Sequence, residues 1–221
     1  MIHGWILDCY PALSGQGMTF WVKTIDGKNI RLKDSDWRAR IYASGAACDD
    51  PEFVFSRLKD SGYVSKISVV EKRTSIFDSR KSEALEIELN RADRGKKVAD
   101  LLEAIFQNPS TFRLYNVDLT AEQQYFLEND LFPLARVAVD VQGEEVTGWK
   151  MMDDVRYTDY EIPRLKVLGL DIALADKVSR LDSRLSSVTL TPSIYHAEEI
   201  LESIQIDGCE KEILIRTARE V

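Results

Sequence analysis

The chain has 221 residues, about one and a half times the ~150 residues of an average domain. Hydrophobic residues make up 44% of it and charged residues 30%, with 11 glycines and 6 prolines, which excludes disordered, collagen-like and disulfide-scaffold proteins. The formal net charge of -8 by itself argues against a nucleic-acid partner, because Lys and Arg supply most phosphate contacts.

The first residues, the cysteines and the histidines exclude further classes. Met1–Trp5 lacks the basic start and apolar stretch of a signal peptide, so we expect a cytoplasmic protein. No apolar run approaches the ~20 residues that span a bilayer. The cysteines are widely spaced and form no C-x-x-C pair, which indicates neither a disulfide framework nor a zinc site. With only His3 and His196, chemistry that needs several imidazoles is excluded.

The charge is unevenly distributed along the chain. Residues 1–133 carry 18 basic and 20 acidic side chains, whereas residues 134–221 carry 11 and 17. Within the first part, Val64–Lys97 holds nine basic side chains against six acidic ones. This stretch allows a locally basic surface, although composition alone favours a solvated face with salt bridges.

The first fifty residues predict β-structure. Aromatic and branched residues dominate three runs, and an Asp-Gly pair at positions 26 and 27 is typical of a tight hairpin. We expect an antiparallel meander of four strands: Trp5–Tyr10, Met18–Thr24, Asn29–Leu32 and Ala39–Ala43.

Helices and strands then alternate up to Pro133. A helix begins at Pro51, takes Phe53, Phe55 and Leu58 as its apolar positions, and ends before Gly62. A later helix is capped by the Thr120 hydroxyl. The other predicted elements are strands at Val64–Lys72 and Ala84–Leu89, a helix at Val98–Phe106 and a strand at Phe112–Val117. This order predicts an α+β domain.

Beyond Pro133 the elements are sparser. A polar stretch with Gly143 and Gly148 precedes a predicted strand at Leu165–Ile172. A strand at Val188–Thr191 and a helix from Glu210 to Val221 follow, and that helix is still in progress at the last residue. We therefore expect a domain at 1–133, a connecting segment at 134–163 and a partial domain at 164–221.

Blocks of sequence in this order resemble archaeal-type family B DNA polymerases. Phe112–Leu119 and Gln124–Leu134 resemble the family's strand ending in Tyr-x-x-Asp-Ile, its Arg-Tyr-Leu-Ile-Asp helix and its Gly-Leu-Val-Pro-Met-like turn. Ile162–Ala173 is similar to the first exonuclease motif, Leu-Lys-x-Leu-x-Phe-Asp-Ile-Glu. Trp5–Asp8 looks like the opening strand of archaeal members, and Glu210–Ile215 resembles a helix before the second exonuclease motif.

The resemblance implies an architecture and partners. The fold would be an N-terminal mixed β-sheet domain with packed helices, followed by an incomplete ribonuclease-H-like (exonuclease) α/β domain. The chain would contact the DNA template strand, and its other partners would be the remainder of a polymerase chain and replisome proteins. Mg²⁺ is implied for the full-length family, with no cofactor in this chain.

The same resemblance implies that activity is missing. Proofreading exonucleases of the family hold two metal ions through acids from three motifs. The first motif here keeps Asp171 but has Ala173 where the family has Glu, and a methyl group cannot bind a metal. We do not expect Asp176, Asp182 or Asp207 to replace that ligand. The paired aspartates of the polymerase palm are also missing from the chain, so we expect neither activity.

Two sets of residues are candidate DNA contacts. A basic surface with stacking aromatics suits single-stranded DNA, and the candidates for it are Trp37, Arg38, Arg40, Tyr42, Arg80 and Lys81. The alternative is that Trp37 is a core residue, because Trp is mostly buried. In archaeal relatives a pocket captures template-strand uracil. Its positions here would be Tyr10, Ala39, Lys81, Ala84, Leu119, Ala121 and Gln124. The family usually has Pro, Phe and Arg where this chain has Lys81, Ala121 and Gln124, which argues against specific uracil capture. The alternative is that these positions form an ordinary core between a helix and a sheet.

Three interpretations follow. The first is an N-terminal polymerase fragment that contacts template DNA and is inactive alone. The second is a naturally short, inactivated polymerase-like protein that serves as a nucleic-acid-binding or replisome scaffold. The third is an unrelated cytosolic α+β interaction domain. Salt-dependent DNA binding distinguishes the first two from the third.

Overall fold

A computed structural model describes residues 1–73, 77, 79–108, 110–154, 156, 161–174, 185–194, 199–200 and 204–207. The chain divides into two compact units, Met1–Ile162 and Pro163–Val221. No helix within the described part of the chain is long and apolar enough to cross a membrane.

The first unit contains nine strands and three α-helices in its described residues. In chain order they are β1 (Ile2–Pro11), β2 (Met18–Thr24), β3 (Asn29–Asp34), β4 (Arg40–Ser44), α1 (Pro51–Leu58), β5 (Val64–Lys72), β6 (Ser82–Leu89), α2 (Gly95–Phe106), β7 (Arg113–Tyr115), α3 (Ala121–Glu128), β8 (Arg136–Gln142) and β9 (Glu145–Met151). The coarse prediction of mixed β-sheet with packed helices is confirmed.

Five of these strands form a closed barrel in the order β1-β2-β3-β9-β8. All neighbours are antiparallel except β3 and β9, which pair in parallel at Lys33 and Glu145. The strands β8 and β9 lie within the segment 134–163 that was expected to be a connection. They form a hairpin because Val137 and Val139 face the core and Gly143 turns the chain at φ 69°.

A second sheet has the order β5-β6-β4-β7, and all its neighbours are antiparallel. Strand β4 therefore does not continue the meander of β1 to β3, and the expected four-stranded meander is wrong at this strand. The predicted alternation on β6 is confirmed, since Leu85, Ile87 and Leu89 are all buried. Their neighbours Glu86 and Glu88 therefore lie on the opposite face of the sheet.

The helix α1 begins where the sequence predicts, but it buries different residues. Pro51 is its first residue, and the Asp50 side chain accepts a hydrogen bond from the Phe53 amide at 2.9 Å. Val54 and Leu58, one helical turn apart, are buried, while Phe53 and Phe55 are 42% and 36% exposed. The predicted apolar positions at Phe53 and Phe55 are therefore wrong.

The other two helices follow the sequence prediction closely. The helix α2 buries Val98 and Leu102 and ends at Phe106. The helix α3 begins with a capping box, in which the Thr120 hydroxyl accepts from the Gln123 amide and the Gln123 side chain accepts from the Thr120 amide.

An aromatic cluster connects α3 to the barrel. The Tyr125 ring lies 4.8 Å from Phe20 and 5.5 Å from Trp37, measured between ring centroids. The Tyr125 hydroxyl donates to an Asp34 carboxylate oxygen at 2.9 Å and accepts from Trp149 Nε1 at 2.7 Å. Burial, together with the charge of Asp34, raises the pKa of Tyr125 far above its ordinary value. This tyrosine therefore stays neutral and serves as a packed polar link.

The described part of the second unit is an antiparallel sheet. Its strands are β10 (Lys166–Leu174), β11 (Leu185–Ile194), β12 (Glu199–Ile200) and β13 (Ile204–Asp207), and β11 pairs with the other three. The predicted strands Leu165–Ile172 and Val188–Thr191 correspond to β10 and β11. The predicted helix from Glu210 to Val221 lies outside the described residues.

Candidate nucleic-acid interface

A cavity of about 390 Å³ lies between the second sheet and α3. It contains Tyr42, Lys72, Arg73, Ala84, Tyr115, Asn116, Leu119, Gln124, Leu127 and Glu128. The sheet register explains why several of these meet. Tyr42 pairs with Glu86 on β6 and with Tyr115 on β7, and side chains of directly paired residues share a face.

Two tyrosines and two cations give the cavity its chemical character. The Lys72 ammonium lies 5.2 Å from the centroid of the Tyr42 ring, within cation–π range. The Tyr42 hydroxyl donates to a Glu86 carboxylate oxygen at 3.1 Å. Burial, and then the charge of Glu86, raises the pKa of Tyr42, so its ring remains neutral. Tyr115 shares a hydroxyl–hydroxyl hydrogen bond of 3.3 Å with Ser44.

Arg40 is surrounded by carboxylates beside this cavity. Its guanidinium lies 3.2 Å from Glu128, 3.8 Å from Glu86 and 4.0 Å from Glu88. Three carboxylates around one guanidinium leave the cluster negative, so Arg40 compensates local charge. Arg40 was predicted to contact DNA, but in this structure its guanidinium lies against carboxylates of the protein itself.

Trp37 and Arg38 do not offer a stacking surface. Trp37 is only 7% exposed, and its indole Nε1 donates to Glu128 at 2.8 Å. Its proposed role as a stacking platform for DNA is wrong, because the ring faces the core against Tyr125. Arg38 donates to the carbonyl oxygens of Ser35 and Trp37 at 2.7 and 2.8 Å. Arg80 and Lys81 are exposed, and neither lines the cavity.

Gln124 is a structural residue in this arrangement. It is 4% exposed, and its side-chain oxygen accepts from the Arg40 amide at 3.0 Å. Its side-chain nitrogen donates to the carbonyl oxygen of Asn116 at 3.2 Å and to that of Leu119 at 3.5 Å. Asn116 has φ 62°, and Gln124 supports this left-handed turn between β7 and α3. The side-chain amide of Gln124 is therefore hydrogen-bonded to backbone groups.

The predicted template-base positions are divided in space. Ala84, Leu119 and Gln124 line the 390 Å³ cavity together. Ala121 lines a neighbouring cavity of about 320 Å³, which Leu119 and Gln124 also border. Ala39 is 2% exposed within the core cluster, and neither Tyr10 nor Lys81 lines either cavity. The expected single pocket is therefore only partly assembled.

Sequence reasoning missed six residues that line the cavity, among them two cations and a tyrosine. Lys72 and Arg73 belong to the basic stretch Val64–Lys97, and Tyr115 belongs to the block that resembles the polymerase signature. Each carried a signal in the sequence. The pairing of β5 with β6, together with that of β4 with β6 and β7, places them around one cavity.

The exonuclease-like block lies on β10. Asp171 is exposed there and pairs with Thr189 on β11. Among the residues that the structure describes, no group of three or more His, Cys, Asp or Glu side chains is placed to hold a metal ion. Ala173 follows on the same strand, while Asp176 and Asp182 lie outside the described residues. The described donor set does not fit the two-metal site implied for the family.

Comparisons with known proteins agree with the sequence resemblance at the level of the fold. No family model and no curated protein matches the sequence. The structure is similar to that of the family B DNA polymerase from the hyperthermophilic archaeon Pyrobaculum calidifontis, with a TM-score of 0.73 and 19% sequence identity. The match covers 99% of this chain and 28% of the polymerase chain. The chain therefore has the fold of the N-terminal part of a family B DNA polymerase.

Proposed function

We propose that this chain is a template-contacting module of a family B-type DNA polymerase, which binds single-stranded DNA and has no nuclease activity of its own. The observation that carries the proposal is the cavity in which Tyr42 and Tyr115 lie beside Lys72 and Arg73. The cavity lies in a chain whose fold is similar to part of a family B DNA polymerase, which also supports the proposal.

The chemistry of the cavity suits a single strand better than a duplex. Aromatic faces stack on unpaired bases of any sequence, and neighbouring cations attract the phosphates. Lys72 and Arg73 follow one another at the end of β5, so two positive charges lie at the mouth of the cavity. Arg40 offsets part of the negative charge of Glu86 and Glu128 beneath them.

We propose further that the second unit is the beginning of a ribonuclease-H-like exonuclease domain without a working metal site. The support is the position of Asp171 on β10, within the block similar to the first exonuclease motif. Ala173 supplies no ligand, and the family's Mg²⁺ would lack one of its two carboxylates here. Labelled single-stranded DNA should stay intact with this chain and Mn²⁺. Metal-dependent degradation that Asp171→Ala abolishes would contradict this part of the proposal.

Fluorescence anisotropy with a labelled oligo-dT probe tests the binding site. Replacing both Lys72 and Arg73 by Glu should weaken binding about tenfold or more at low salt, because both phosphate-attracting charges are reversed. The slope of log affinity against log salt should become shallower by roughly 0.7 for each phosphate that the variant no longer neutralises. Tyr115→Leu keeps an apolar side chain but removes the stacking face, and should weaken binding by about 1–3 kcal/mol.

The matched control is Lys150→Glu. Lys150 is exposed on β9 of the barrel and lies outside the cavity, so this variant makes the same charge change at another place. It should lower affinity much less than Lys72→Glu. Equal decreases from both variants would mean that net charge alone drives binding, and no measurable binding at low salt would refute the proposed function.

A further inference from the structure

The strand β5 has an open edge. It stands at the end of the second sheet and pairs only with β6 among the described strands. An edge strand presents the N–H and C=O groups of every second residue outward, where another strand can pair with them. A register shift between Val64 and Lys66 places a bulge at Ser65. The regular edge therefore begins at Lys66.

A groove of about 510 Å³ runs between this edge and α1. It is lined by Pro51, Glu52, Phe55, Ser56, Lys59, Ser65, Lys66 and Ile67. Its strand side consists of three consecutive residues, 65 to 67. Because Lys66 and Ile67 are consecutive residues of the regular strand and point to opposite faces, a cavity that touches both borders the edge of the strand.

The groove has apolar side chains on both sides: Ile67 on the strand side also packs against the core, whereas Phe55 on the helix side is not part of the core cluster. Phe55 extends from α1 and is 36% exposed, while Val54 and Leu58 on the other side of the helix are buried. Across the groove, Ile67 lies on β5, and Val69 follows on the same face of the strand with 51% of its surface exposed. An apolar side chain of a bound segment would be covered on two sides here.

The charges around the groove are mostly positive. Lys59 and Lys66 line it from the helix end and from the strand, and Glu52 is its one acidic lining residue. A chain whose overall charge is -8 thus presents a basic groove at this place. Charge complementarity favours an acidic partner.

We propose that this groove binds an extended acidic peptide segment of a partner protein, which adds as a strand to the free edge of β5. Main-chain hydrogen bonds to the edge would give affinity, and an apolar side chain between Phe55 and Ile67 would give specificity. Carboxylates on either side of that apolar residue would lie near Lys59 and Lys66. The site goes beyond the proposed DNA contact: Lys72 of the DNA cavity is six residues along β5, about 20 Å away at ~3.3 Å per residue.

The probe for this site is a fluorescein-labelled peptide, Asp-Glu-Val-Phe-Val-Asp-Glu, measured by anisotropy with the whole chain. Two further probes carry N-methyl groups on one or the other alternating set of amides. Strand addition uses only one of these sets, so one methylated probe should bind about tenfold or more weakly and the other should bind nearly as the parent does. Side-chain binding without strand addition would treat both methylated probes alike.

Protein variants test the groove itself. Lys59→Glu combined with Lys66→Glu should weaken peptide binding about tenfold, since two rim ion pairs become repulsive. Phe55→Ala removes a partly exposed wall and should weaken binding several-fold while circular dichroism stays unchanged. Lys150→Glu on the barrel is charge-matched to each single Lys→Glu change and should have little effect.

Several outcomes would overturn the proposal. They are no binding of the parent peptide at low salt, equal weakening of both methylated probes, or an equally large effect of Lys150→Glu. Competition of oligo-dT with the peptide would also overturn it, because the groove would then be a DNA site. The Lys72 and Arg73 variants separate the two sites: they should lower DNA binding and leave peptide binding intact.

Discussion

Gln124 offers the sharpest test of the reasoning about the interface, because the family resemblance places it in a base pocket and the structure makes it a support for the backbone. Replacing it by Ala leaves the Arg40 amide and the Asn116 carbonyl oxygen without their partners, which lie at 3.0 and 3.2 Å in the intact chain. A buried group without its partner costs about 1–3 kcal/mol. The third hydrogen bond, to Leu119 at 3.5 Å, is long and adds little.

The expected decrease in the free energy of unfolding is therefore about 3 kcal/mol. For a unit of this size that corresponds to a fall of roughly 6–12 °C in Tm. The decrease has two causes, the lost hydrogen bonds and the lost side-chain volume. Gln124→Leu separates them because it fills the space without restoring the hydrogen bonds, and it should still cost about 2 kcal/mol.

Urea unfolding followed by tryptophan fluorescence measures this change. All 4 tryptophans of the chain, at positions 5, 21, 37 and 149, lie in the first unit, so the signal reports on that unit. Leu127→Ala is the matched control on α3: Leu127 is 68% exposed, and its replacement should change stability by less than about 0.5 kcal/mol. If Gln124→Leu proves as stable as the natural chain, Gln124 does not support the turn and the reasoning is wrong.

Three further predictions concern stability. Tyr125→Phe should cost about 2–3 kcal/mol by leaving Asp34 Oδ2 and the Trp149 indole N–H without their hydrogen-bond partner, and a double-mutant cycle with Trp149→Phe should show non-additive effects in urea unfolding. Thr120→Ala removes the capping box of α3 and should cost about 1 kcal/mol, and a change near zero in thermal unfolding would contradict that role of the cap. Burial, followed by the charges of Glu122 and Asp8, raises the pKa of the Cys9 thiol to about 12, so the folded state holds this proton more tightly than the unfolded state. The free energy of unfolding should therefore be constant with respect to this group below the ordinary thiol pKa of about 8.5 and should fall as pH rises from there toward 12, and Cys9→Ala should flatten that fall.

Local signals in the sequence predicted most of the individual elements. The capping box at Thr120 and the alternation of Leu85, Ile87 and Leu89 depend on neighbours a few residues apart, which the sequence displays directly. The assignment failed for α1, where Phe53 and Phe55 were expected inside. A short helix with several apolar residues does not reveal which face its neighbours cover.

The candidate site was predicted only in part, because the sequence does not show which distant residues pack together. Ala84, Leu119 and Gln124 were assigned to one pocket and do line one cavity. Trp37 was assigned to a DNA surface, but its ring packs at 5.5 Å from Tyr125, a residue far along the chain. The sequence contains both residues and does not indicate that they meet.

By itself, the sequence determined the class of the fold, the resemblance to a family B polymerase and the absence of a second carboxylate at Ala173. These depend on residue types and local order. Only the tertiary structure decided that residues 136–151 close the barrel, that Lys72 and Arg73 line one cavity with two tyrosines, and that β5 stands at the edge of its sheet among the described strands. Such features arise from strand pairings between distant parts of the chain, where each side chain can face the core or the solvent until its partner strand is in place.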